Sequence, residues 1–450
     1  MAEIRPFPGL RFDEGIVGDL ASVMTPPYDV IDAAAQEEYY RSSPYNIIRL
    51  ELGKQFPADS AQANRYSRAV ACLEEWLHTG VLRIERAPAI YVYRQTFLHR
   101  GILRARTGFL AAMRLEEWHK GIVLPHEATM SGPKMDRLQL MRATAANSSP
   151  IFALYEDPTG NARALLDQIV AAQPTVSFAD RSGEHQVWTV SDQGMIEALA
   201  AVPRSGPVYV ADGHHRYETA LYYRDEQRAA KANYHGNEAW NFVLTLLVAI
   251  DDPGLTVLPT HRLVNPQEGD TTGGELAGYF AVQPLASHGD PSSDLAQLLA
   301  LLARHGERGH AFGIYGGADE GVRGLPAGGF ALLGPRSEEI VSRLMPAGRA
   351  EAWRQLDVSV LHELLLRRAF GLGEADFEDE ARVAYTRDEE AALLAVDAGR
   401  YRLALFLNPT PVRQVIEVAR AREVMPHKST YFHPKPLTGI VLSRLSDVLA

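Results

Sequence analysis

Within Val208-Tyr209-Val210-Ala211-Asp212-Gly213-His214-His215-Arg216-Tyr217-Glu218-Thr219-Ala220-Leu221, a carboxylate, two imidazoles and a guanidinium crowd around one glycine. Arg216 offers a bidentate fork to phosphate or carboxylate, His214 and His215 can donate to oxygen or handle a proton, and Asp212 can hold a divalent cation or a hydroxyl. The residues before Asp212 are β-branched, aromatic or small and read as a short buried strand, whereas Tyr217, Ala220 and Leu221 recur at helical spacing. A strand that stops at a glycine turn and opens a helix leaves that helix's first amides unpaired, which suits an anion. Cations at a helix start oppose its dipole by roughly 0.3–1 kcal/mol each, so three of them together point to a bound anion that offsets the cost. The plain alternatives are an N-cap at Asp212, a turn at Gly213 and two surface histidines.

Other chemistry-bearing stretches surround this one. Asn46-Ile47-Ile48-Arg49-Leu50-Glu51-Leu52 alternates as a half-buried strand with Arg49 and Glu51 on one face, either an ion pair or the polar wall of a cleft. From Gly121 to Pro150 a polar excursion carries His126, Glu127, Thr129, Lys134, Arg137 and Ser148. Long polar connections of this kind are more often functional than idle; the simpler reading is a helix with Asp136 and Arg137 on a solvated face. His126-Glu127 lacks the second histidine of a zincin. The tail Met425-Pro426-His427-Lys428-Ser429-Thr430-Tyr431-Phe432-His433-Pro434-Lys435-Pro436 either lines the same cleft or extends along the surface.

The 450 residues, 46% hydrophobic and 22% charged, are those of a soluble globular chain with core enough for two or three domains. A formal net charge of -11 argues against nucleic acid as a partner. Cys72 is the sole cysteine, which rules out an internal disulfide and fits a reducing cytoplasm. The start lacks a signal-type apolar core and the longest apolar run, Phe242 to Ile250, is too short for a bilayer, so a cytoplasmic protein without a membrane partner is expected.

Helices are expected near 61–78, 195–202 and 358–370, with a hairpin over 89–115 turning at His99-Arg100-Gly101 and a strand pair at 176–178 and 186–190. His261 and Arg262 end a strand over 255–264. After about 266 glycine breaks and alternating helices and strands mark a second α+β layer, and the glycine-rich 313–324 reads as a hairpin because it matches neither the dinucleotide nor the Walker loop. The expected division is therefore 1–265, 266–424 and a C-terminal segment, 425–450, that either returns to the cleft or extends along the surface.

The strings PPYDVI, NIIRLEL, PHEAT with KMDRL, NSSPIFALY, ADGHHRYETAL and MPHKSTYFHPK together resemble the family called domain of unknown function 1015 across nearly the whole chain. ADGHHRYETA by itself resembles the loop and helix start of the ParB/sulfiredoxin-like fold, closest to free serine kinases. What this implies is an α+β fold of mixed sheets with a ParB/sulfiredoxin-like nucleotide-binding core and a second α+β domain, ATP or ADP held at Gly213, His214 and Arg216, and phosphoryl transfer to a small hydroxyl compound such as serine. The sulfiredoxin version needs a cysteine where this chain has His214, so sulfinic acid reduction is not expected. Phosphoryl transfer asks for a phosphate cradle, a metal carboxylate and a base. On that reading Asp212 holds Mg2+, His215 relays a proton, Glu127 or, second, Glu51 is the base, and Lys134, Arg137 and Lys428 neutralise phosphate. The alternatives are a non-catalytic nucleotide-binding regulator, and a metal-dependent hydrolase with His214 and Glu218 as ligands.

Overall fold

The computed structural model describes residues 1–129, 131–231, 233–266, 273–316 and 328–449. Beside the expected divisions after 265 and 424, the contacts divide the chain into two compact units, Met1–Thr256 with Pro434–Ala450, and Val257–His433. Both mix helices with sheets, so the fold is α+β.

The first unit is built on a nine-stranded mixed sheet. Its strands are β1 (Ile90–His99), β2 (Ile102–Arg114), β3 (Val123–Leu124), β4 (Ile151–Tyr155), β5 (Val176–Asp180), β6 (Gly183–Val190), β7 (Val208–Asp212) and β8 (Phe242–Ala249), in the spatial order β3-β7-β4-β8-β2-β1-β6-β5, with Ile4–Arg5 added beside β2. The pairs β3·β7 and β4·β8 are parallel and the rest antiparallel. The expected hairpin is β1–β2, and its turn at Arg100 and Gly101 puts both residues at positive φ. β4 and β8 are buried along their whole length, as the near-continuous apolar runs of central strands are, and the one polar side chain of β8, Thr245, donates its hydroxyl to the Val243 carbonyl.

Three helices of this unit carry or flank the charged residues singled out in the sequence: α1 (Arg65–Thr79), α2 (Ser131–Thr144) and α3 (His214–Ala230). Asn64 and Ser67 close a capping box at the start of α1. Tyr217, Ala220 and Leu221 of α3 are buried in the same core as Ile151, Val210 and Leu247 of the sheet. The sequence expectation fails at 46–52: Ile48–Glu51 is a single helical turn, with Ile48, Leu50 and Glu51 all buried. The middle of the polar excursion is α2, and Asp136 and Arg137 do not lie on a solvated face of it, since Arg137 is only 6% exposed and pairs with Asp136.

The chain from Pro434 onward belongs to this unit. Leu437, Ile440, Val441, Leu442 and Leu445 are buried, Ser443–Arg444 pairs with Ala146–Asn147, and the buried Arg106 guanidinium donates to the Pro434 carbonyl at 2.7 Å.

The second unit holds a six-stranded antiparallel sheet of β9 (His261–Val264), β10 (Phe280–Pro284), β11 (Phe312–Gly316), β12 (Phe330–Pro335), β13 (Val383–Thr386) and β14 (Leu403–Phe406), ordered β10-β12-β11-β14-β9-β13. Its core gathers leucines of the helix Pro291–Gly306 and alanines of the helix Glu389–Asp397 against Tyr315, Phe330 and Phe406. Strands β11 and β12 pair antiparallel, and of the hairpin expected over 313–324 the part 317–324 lies outside the described residues.

Candidate functional site

Strand β7 ends and α3 begins as the residues required. Gly213 has φ +94°, and a Cβ there would sit 3.1 Å from Ile151 Cδ1 and about as close to the Arg216 guanidinium, so only glycine fits both the backbone and the space. No side chain caps α3. Asp212 is therefore not an N-cap. A register shift between Val210 and Asp212 re-aims the end of β7, as bulges beside functional sites do.

The Asp212 carboxylate is shared between two cations. One oxygen takes Arg216 Nη2 at 2.6 Å and the other takes Lys435 Nζ at 2.7 Å. Lys435 also bonds Asp29, and Arg216 Nη1 donates to Ser149 and, at 2.6 Å, to the Pro150 carbonyl. Burial works to raise the Asp212 carboxyl, but Lys435 and Arg216 outweigh it and hold it at about 2. Burial also opposes the Lys435 charge, and its two carboxylates keep the ammonium well above the ordinary lysine range. The expected fork of Arg216 is thus committed to protein partners.

The histidines are a neutral pair. The parallel pairing of β3 with β7 brings His126 to Val210, whose carbonyl accepts from His126 Nδ1 at 2.8 Å, and the His126 amide donates to His214 Nε2 at 3.3 Å. The two rings meet edge-on with centroids 4.7 Å apart. Burial pushes His126 down to about 4, and burial followed by His126 itself pushes His214 well below the ordinary range. Half-buried His215 is lowered too, by burial first. These partners put the proton of neutral His126 and of neutral His214 on Nδ1.

The remaining expected residues fall into separate networks. Glu51, 2% exposed, accepts from Ser148 and faces Arg137 at 3.3 Å, and Arg137 also bonds Asp136 and the Glu51 carbonyl while stacking on Tyr28 at 4.2 Å. Held this way, Glu51 does not present a free base, and Arg137 is not a free phosphate clamp. Arg49 pairs not with Glu51 but with the Tyr40 ring and the Pro44 carbonyl. Lys134 bonds Glu218 at 2.9 Å, and Glu218 accepts further from Thr129 and Trp118. Glu127 is half-buried in the loop before α2. Lys428 belongs to the second unit, where its carbonyl accepts from Arg262 and its ammonium lies 5.3 Å from the Tyr385 ring. Behind Arg216 lies a hollow of about 40 Å³, between Glu51, Ser149 and Thr219, which suits water rather than a nucleotide.

The donor set does not fit a metal well. Among the described residues no three His, Cys, Asp or Glu side chains gather as ligands. His214 and Glu218, the ligands of the hydrolase alternative, both have protein partners, and at Asp212 the Lys435 ammonium stands where Mg2+ was expected. Sequence reasoning missed Asp29, Ser149 and Lys435. The only signal was that Asp29 and Lys435 lie in the proline-rich strings PPYDVI and MPHKSTYFHPK, and nothing there favoured Lys435 over Lys428.

A charged strand–glycine–helix junction in a mixed-sheet α+β protein is the class that fold and site define. The chain matches the family described as "Protein of unknown function (DUF1015)" over residues 4–359, and it belongs to that family. No curated protein matches it. Among solved structures it is similar to a mutant free serine kinase in complex with AMP, with 12% identity, TM-score 0.34, and 69% of this chain and 84% of that one covered. A conserved hypothetical protein from Pyrococcus furiosus gives 13% identity and TM-score 0.32 over 73% and 94%. SbnI with a C-terminal truncation, from Staphylococcus aureus, gives 8% and 0.33 over 73% and 85%. Among the described residues no helix is long and apolar enough to cross a membrane.

Proposed function

We propose that the junction seats the phosphates of a nucleotide and that the protein is a nucleotide-dependent phosphotransferase acting on a small hydroxyl-bearing metabolite such as free serine. The observation that carries this reading is the start of α3: a 17-residue helix entered through a left-handed glycine with no side-chain cap, beside the ordered cations Arg216 and Lys435. Such a helix end favours an anion through its amides and dipole together. Asp212 is the positioning residue, kept ionised so that Arg216 and Lys435 stay oriented. His215, lowered by burial and so neutral near pH 7, can take a proton from an attacking hydroxyl, with Glu127 as the second base. Glu51, Lys134 and Arg137 build the walls, and no step is assigned to a metal. Incubation with ATP or ADP and a panel of hydroxyl acceptors, serine first, tests this by phosphorus NMR. Phosphorylated acceptor formed by the native chain and lost in His215→Gln is expected, whereas nucleotide binding without product across the panel contradicts it.

A non-catalytic nucleotide binder is the second reading, favoured by the mutual pairing of Asp212, Arg216 and Lys435. It predicts binding that survives His215→Gln and no phosphorylated product.

A further inference from the structure

A second hollow of the first unit shares no lining residue with the junction. It encloses about 350 Å³, within the size range of sites for small molecules, between the β1–β2 hairpin, the helix Asn161–Val170 and the segment that follows β8. Three arginines converge on it: Arg94, Arg104 and Arg163. Near the junction Arg216 and Arg137 are each matched to a carboxylate, yet none of these three forms an ion pair among the described residues. Arg94 Nε donates only to the Thr107 hydroxyl at 3.2 Å, and Arg104 Nε is buried with no hydrogen-bond partner. Leaving a buried donor of a charged group unsatisfied is costly, and a ligand oxygen would supply what the chain does not.

The carboxylates of the same hollow do not fill that role. Asp252 is taken by the amides of Gly254 at 2.8 Å and Thr107 at 3.2 Å and feels the charges of Arg106 and Arg163 without forming an ion pair with either, and Asp167 and Asp251 stand at exposed positions on the rim. The rest of the wall is apolar, from Ile102, Leu103, Leu166 and Pro253, and Leu103 is 71% exposed.

We propose that this hollow binds a small organic anion, its carboxylate or phosphate gripped by Arg104 with Arg94 and Arg163 and its apolar body laid on Ile102, Leu103 and Leu166. Guanidinium forks match both oxyanions bidentately, so the two sources share one chemistry. The site stands apart from the nucleotide reading of the junction.

Calorimetric titration of the full chain with phenyl phosphate, phenylacetate and 2-phenylethanol tests it. At least one anion binds about tenfold or more tightly than the neutral alcohol, and which anion wins identifies the source. Arg104→Met lowers that affinity about tenfold, and Arg163→Gln, on an exposed helical position that folding does not need, lowers it severalfold, both without a fall in Tm. The proposal is overturned if no probe binds at millimolar concentration, if the alcohol binds as well as both anions, or if neither substitution changes anion affinity.

Discussion

At the α3 junction the charges are buried and answered: Asp212 lies between Arg216 and Lys435, and Lys435 between Asp212 and Asp29. Around the hairpin hollow the guanidiniums of Arg94, Arg104 and Arg163 face about 350 Å³ with no carboxylate closed upon them. The two regions use the same residue types for different ends. Paired charges fix a backbone in place, since removing one partner strands the other. Unpaired charges around a void contribute little to the fold and leave their binding capacity for something else. A cluster of Arg, Lys and Asp in a sequence does not say which of the two it is.

Removing one partner at the junction breaks the contrast most severely. Lys435→Met leaves Asp212 with one cation and frees the tail from Asp29, and it is expected to cost about 3 kcal/mol in urea unfolding, as breaking a buried pair does. A loss under about 0.5 kcal/mol, the range of surface changes, would remove the distinction between the regions. Gly213→Ala forces a left-handed residue against Ile151 and Arg216 and should cost about 1–3 kcal/mol, visible as a lower Tm.

The neutral histidines sharpen the comparison through pH. His126 is held at about 4 in the folded chain against an ordinary 6.5, so between those values the unfolded chain binds the extra proton and stability rises with pH. The stability this site contributes is complete above about 6.5 and is lost as pH falls toward 4, with His214 acting in the same direction. Denaturation midpoints across pH 4 to 7 should show that slope, and His126→Asn should flatten it. In the hollow the expected effect is the smallest: Arg104→Met removes no ion pair and should change stability by less than about 0.5 kcal/mol by the same urea measurement.

Much of the junction was legible because it is local. A β-branched run, one glycine and a 3.6-residue apolar spacing sit within a few turns of chain, and they point directly to Val208–Asp212, Gly213 and the buried face of α3. Asn46–Leu52 misled for a physical reason: a buried single turn places Ile47, Ile48 and Leu50 inside without a full helical period, and seven residues of alternation look the same as a strand. The partners of the charges were not legible at all. Lys435 reaches Asp29 across 406 positions of chain, and Arg137 reaches Glu51 across 86, distances over which neither spacing nor propensity carries information. For the same reason Lys428, rather than Lys435, is the expected ligand, and nothing in the alternation of the hairpin singles out Arg94 or Arg104.

That the start of α3 seats phosphate is tested most directly by a crystal of the intact chain soaked with ADP. The phosphates should lie within hydrogen-bond distance of the backbone amides of residues 214–216. Phosphates bound elsewhere on the chain, or no bound ADP at millimolar concentration in solution, would contradict it.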